Sequence, residues 1–115
     1  MAGYNALNLS FEADGNISRG DVVYVSGDNK AKVTTGTLGT VIGVANGSPE
    51  EGLVTVQVDG IAKVVASGAI AAGALVVSDE DGKVDTVASN TFDKVLGKAL
   101  QAATADGDVI EILLK

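Results

Sequence analysis

A pattern of the form Ile-x-x-Gly-x-(Val/Leu)-Val occurs twice in this chain, as Ile17-Ser18-Arg19-Gly20-Asp21-Val22-Val23 and as Ile70-Ala71-Ala72-Gly73-Ala74-Leu75-Val76, 53 residues apart. Repetition constrains a fold more tightly than any single motif, because both copies must accept the same local structure. Other landmarks keep step: Gly20 with Gly73, Val23 with Val76 and Lys30 with Lys83 at the same shift. Val41-Ile42-Gly43-Val44-Ala45 meets Val95-Leu96-Gly97-Lys98-Ala99 at a shift of 54, and Val54-Thr55-Val56-Gln57-Val58 meets Ile110-Glu111-Ile112-Leu113-Leu114 in alternation at 56. Loop insertions of one or two residues absorb the drift. The repeats run from about 17 to 60 and from about 70 to 115.

Each copy reads as strands. An apolar strand follows the glycine corner, at 21–26 and 74–78, and ends in the turn formers Gly27-Asp28-Asn29 and Asp79-Glu80-Asp81-Gly82. Return strands follow at 30–34 and 83–87, third strands at 40–45 and 94–100, then polar loops at 46–52 and 102–107. In the closing strand, Val54, Val56 and Val58 alternate with Thr55, Gln57 and Asp59, as a half-buried strand requires. A linking strand at 61–65 and an N-terminal strand near 7–11 complete the set. No segment keeps a helical period. The alanine-rich stretch 66–75 contains Gly68 and Gly73 and has a strand-like sibling at 17–24, so it reads as a small-residue corner in which Ile70 plugs the core. The expectation is an all-β fold: a small β-barrel or sandwich of about 8–10 strands from two pseudo-repeated halves, with 1–16 as an N-terminal arm or edge strand and 17–115 as one domain. A chain of 115 residues supports one such core and buries roughly 65% of its unfolded surface.

Composition narrows the chemistry. There is no His and no Cys, which removes the commonest catalytic base, the commonest metal ligands and disulfides together. No serine lies in a nucleophile elbow, and Lys30 and Lys83 sit at hairpin exits, so the chain is expected not to be an enzyme and to need no cofactor or metal. Asp79, Glu80, Asp81 and Asp85 resemble part of a calcium loop, but the sixth and twelfth positions counted from Asp79 are Val84 and Asn90, where that loop needs Gly and Glu. The stretch reads as a solvated hairpin tip. Arg19-Gly20-Asp21 spells a cell-adhesion tripeptide, yet its sibling is Ala72-Gly73-Ala74, so only the glycine belongs to the shared plan. A net charge of −7 without a basic cluster argues against nucleic acid. The run 64–77 has 14 residues, short of the ~20 that span a bilayer, and no signal peptide is visible. Synthesis in a cytoplasm and protein partners are expected.

The N-terminal residues stand outside the repeat and hold two of the four aromatics, in Tyr4, Leu7, Leu9 and Phe11. Two readings stay open: an edge strand of the barrel, or an arm that pairs with a neighbouring chain by strand addition.

Taken in order, Arg19-Gly20-Asp21-Val22-Val23, the strand 41–45, the run Leu53 to Ile61, the corner Gly68 to Gly73 and the loop Ala105-Asp106-Gly107-Asp108 resemble the tailed-phage capsid cement, or head decoration, proteins of the small all-β kind. The similarity covers about residues 17–115. It implies a non-enzymatic β-barrel that binds the outer surface of an expanded icosahedral shell, with the major capsid protein as partner, commonly as a trimer at local threefold positions. It implies a place on the virion's outer capsid surface. Tyr4, Leu7, Leu9 and Phe11 are then the candidate contacts to shell or neighbour. The alternative from another class is a carbohydrate- or peptide-binding β module on a phage particle. That reading wants an aromatic platform, and Tyr24 and Phe92 are scattered.

Overall fold

The computed structural model describes residues 7–37, 39–88 and 92–114. Ten strands follow in order: β1 (Asn8–Ala13), β2 (Val22–Gly27), β3 (Lys30–Val33), β4 (Val41–Ala45), β5 (Leu53–Gln57), β6 (Gly60–Val65), β7 (Leu75–Ser78), β8 (Val84–Thr86), β9 (Gly97–Ala99) and β10 (Val109–Leu114). Two 3-10 turns, Glu80–Gly82 and Phe92–Lys94, are the helical elements among the described residues.

The strands form two sheets of the same plan. In the first half the order is β3-β2-β4-β5-β1, closed into a barrel where β1 pairs in parallel with β3 at Glu12↔Lys30 and Ala13↔Ala31. In the second it is β8-β7-β9-β10-β6, and the same closure shrinks to one parallel bridge, Ala66↔Val84. Ala66 and Val84 are the counterparts of Ala13 and Ala31 at the shift of 53. Register is kept as well: β1 meets β5 at Leu9↔Val56, and β6 meets β10 at Ala62↔Ile112. Turn hydrogen bonds repeat in the same way. The Gly20 N–H donates to the Ala45 carbonyl at 2.9 Å and that of Gly73 to Ala99 at 2.8 Å; the Asp14 N–H donates to Ala31 at 2.8 Å and that of Ser67 to Val84 at 2.9 Å.

Glycine is required at two points of the shared plan. Gly20 and Gly73 turn the corner at φ of 92° and 89°, a region that side chains disfavour. Gly43 and Gly97 lie where two strands press together, and a Cβ there would collide with the carbonyl oxygen of Gln57 or Leu113 respectively. The corner isoleucines, Ile17 and Ile70, are buried one in each core.

The cores are unequal. Ile17, Val23, Ala31, Ala45, Val54 and Val56 fill the first barrel. The second core gathers Val64, Val76, Val84, Ile110 and Ile112 and also takes in Val22 and Val44, which project from the outer face of the first sheet. The halves are further tied by Thr34 Oγ1 donating to the Asp79 carbonyl, Ser78 Oγ donating to Gly36, both at 2.8 Å, and the Gly82 N–H donating to Thr34 at 3.2 Å. Burying two valines is worth on the order of 3–6 kcal/mol, and each hydrogen bond about 1 kcal/mol net. Apolar contact therefore carries most of the joint.

The sequence reading and the structure differ at three places. Residues 8–13 are hydrogen-bonded on both sides, to β5 along their length and to β3 at the closing end, so over this stretch the chain is a closing barrel strand. The stretch read as a linking strand is β6, its counterpart in the second half. NLSFEA and IAKVVA share only their final alanine, and alternation alone, with no glycine corner to anchor it, hides the match. Third, the strand expected at 94–100 shortens to Gly97–Ala99, because Phe92–Lys94 wind into a 3-10 turn.

Candidate functional site

The four residues singled out from the sequence part company. Tyr4 lies outside the described residues. Phe11 faces Val54 and packs half-buried against the first core. Leu9 stands two residues earlier on the same strand face, opposite Val56, yet it is exposed, as is Leu7. Pairing explains the difference: β1 meets β3 only at Glu12 and Ala13, so the barrel mouth gapes toward the start of β1 and leaves its leucines uncovered. The Leu7 carbonyl is held by the Val58 N–H at 2.8 Å, which fixes this segment to the end of β5.

A second apolar surface escaped the sequence reading. Leu75, Lys98 and Leu113 form a cross-strand row over β7, β9 and β10, all three exposed, with Leu100 nearby at the end of β9. The equivalent row of the first half, Val22, Val44 and Gln57, is fully covered. Reading the two repeats position against position, Val22 with Leu75, Asn46 with Leu100 and Gln57 with Leu113, was the available signal.

Between the halves runs a cleft of about 450 Å³, lined by Arg19 and Gly20 of the first corner, by Val44, Asn46 and Gln57, and by β6. Its charged lining residues are Arg19 and Lys63, with no carboxylate among them. Arg19 donates to Asn46 Oδ1 at 3.3 Å, and Gln57 Nε2 donates to the Ile61 carbonyl at 2.7 Å, spanning from β5 to β6.

The titratable groups whose behaviour the fold changes are structural. Burial pushes the Asp21 carboxyl up against the opposing pull of the Ser18 N–H, which it accepts at 2.9 Å, with Asp81 nearby adding to the rise. Hydrogen bonds from the Thr104 N–H and hydroxyl and from the Ala105 N–H hold Asp108 below the usual carboxylate range. Lys83 is raised by its 2.8 Å contact with Asp106. At the tip, Asp79 accepts from the Glu80 N–H and from Ser67 Oγ, which caps the 3-10 turn. Asp21, Asp79 and Asp108 each fix a turn by accepting backbone or hydroxyl hydrogens. The arrangement offers two apolar strand surfaces, one on the closed barrel and one on the five-stranded sheet packed against it.

Known proteins place this architecture. The base of a bacteriophage phi29 head fiber, gp8.5 N base, is similar in fold with a TM-score of 0.69, at 19% identity over 96% of this chain and 95% of that one. No curated relative matches the sequence. A family model of phage cement proteins matches residues 2–114, nearly the whole chain, with both sheets and both surfaces inside the match. The chain therefore belongs to the phage cement protein family, structural proteins associated with the phage capsid.

Proposed function

We propose that this protein binds the outer surface of an expanded icosahedral phage capsid and stabilises it, without catalytic activity. The observation that carries the reading is membership of the cement family across residues 2–114. The molecule supports it in three respects. Its apolar exposure is concentrated on strand faces, the geometry of a contact surface rather than of an enclosed substrate pocket. Its perturbed carboxylates are engaged in turns. Its net charge of −7 keeps the unbound protein soluble before it docks.

Stabilisation follows from linkage. A ligand that binds the expanded lattice and not its precursor favours the expanded state by its differential affinity, about 2.7 kcal/mol per site at a hundredfold excess over Kd. Summed over many sites, modest affinity holds a shell. The major capsid protein is the partner in this reading, and a homo-oligomer, with three copies favoured, is the docking unit.

Co-sedimentation of the purified protein with expanded and unexpanded shells tests it. Saturable binding to expanded shells, with a raised shell melting temperature, is expected; equal binding to both forms, or to neither, overturns it.

A further inference from the structure

We infer that copies of this protein join head to tail, with the Leu75/Lys98/Leu113 face of one copy seated in the open barrel mouth at Leu7 and Leu9 of the next. The inference rests on the self-associating docking unit proposed above and names its contact surface.

The duplicated plan of the chain defines this joint. Inside one chain the two halves already make such a joint: the outer row of the first sheet, Val22, Val44 and Gln57, is pressed onto the second half beside β6, and Val22 and Val44 enter the second core. Because the halves share one plan, each also carries the surface that the other uses. Among the described residues, nothing covers the outer row of the second half, and nothing fills the mouth of the first. Val22 and Gln57 are 0% and 8% exposed, whereas their counterparts Leu75 and Leu113 are 37% and 44% exposed. Ala62, in the covered mouth, is 4% exposed, whereas its counterpart Leu9 is 46% exposed.

The replacements point to a partner. Where the internal joint has Val22 and Gln57, with Asn46 at its rim, the free row has Leu75 and Leu113, with Leu100 beside it, and where the covered mouth has Gly60 and Ala62, the open mouth has Leu7 and Leu9. A surface meant for water would not exchange asparagine, glutamine and glycine for exposed leucine. Charge agrees as well. Val44 and Val65 line the internal cleft together, and their counterparts are Lys98 and Glu12, both exposed and of opposite sign. Placing a second copy as the second half sits on the first brings those two surfaces together. The contact is heterologous, one face against a different face, so it propagates, and three copies close a ring where its rotation is about 120°.

Two variants separate this from other modes of association. Leu113→Glu spoils the row and leaves the mouth intact; Leu9→Glu does the reverse. Both positions are exposed, so each variant should keep the wild-type circular dichroism spectrum and melting temperature. Sedimentation velocity without shells should show wild type associating and each variant monomeric, with association on the order of 100-fold weaker from a buried unpaired carboxylate. An equimolar mixture of the two variants should then give a 1:1 dimer, because one intact row and one intact mouth remain. A wild type monomeric at several hundred micromolar, a variant that associates like wild type, or a mixture in which both variants stay monomeric overturns the inference. The same wild-type sample is run against shells: binding by a monomer sinks the joint alone, and association without shell binding sinks the shell reading alone.

Discussion

Gly43 and Gly97 concentrate the demands of the fold into single atoms. A methyl group at either meets a backbone carbonyl oxygen that cannot swing aside, so Gly43→Ala or Gly97→Ala must separate two paired strands. Each substitution is expected to cost about 3 kcal/mol or more, read as a fall in the chemical denaturation midpoint. Thr34→Val is the milder probe of the joint: the half-buried Asp79 carbonyl loses its 2.8 Å donor, the buried Thr34 hydroxyl, and about 1 kcal/mol of stability should go with it. Asp108 yields a pH test. Its folded pKa is depressed, so its contribution is present above the unfolded value of 3.8 and is lost as pH falls through the lower folded pKa. Asp108→Asn should therefore be less stable than wild type at pH 7, with the gap closing at acid pH. Asp21 works in the other direction. Its folded pKa is raised, so its charge weakens the folded state as pH climbs through the interval above 3.8, and Asp21→Asn should flatten that segment of the stability curve.

Strand β1 is the element that sequence reading saw least clearly. Its partners in β5 were legible because Val54, Val56 and Val58 alternate cleanly, and the glycine corners announced where β2 and β7 begin. What makes β1 part of the plan is its pairing on both sides, and pairing leaves no mark on one strand's own residues. The same limit hid Leu75 and Leu113. In isolation they are unremarked strand leucines; only beside Val22 and Gln57, whose burial depends on the other half, do they become surface. Because β1 closes the first barrel, deleting residues 2–12 should remove the cooperative melt of the chain rather than trim a dispensable tail. Circular dichroism during heating distinguishes the two outcomes. Shell contact at the mouth is accordingly better tested by point substitutions at Leu7 and Leu9 than by truncation.

At the scale of the whole molecule, the two halves are neither independent nor symmetric, since Val22 and Val44 belong by sequence to one half and by packing to the other. Val44→Asp should therefore loosen both halves, placing an unpaired carboxylate in the second core at a cost of about 3–5 kcal/mol, visible as a single lowered transition instead of two. That shared ownership also sets an order of events during synthesis. The first barrel is spelled out by residue 58, but the surface that must cover Val22 and Val44 is not yet made. Until the ribosome has delivered the remaining half, the nascent chain carries a bare oily stripe, and a product cut short near the middle would be adhesive toward its siblings rather than toward a shell.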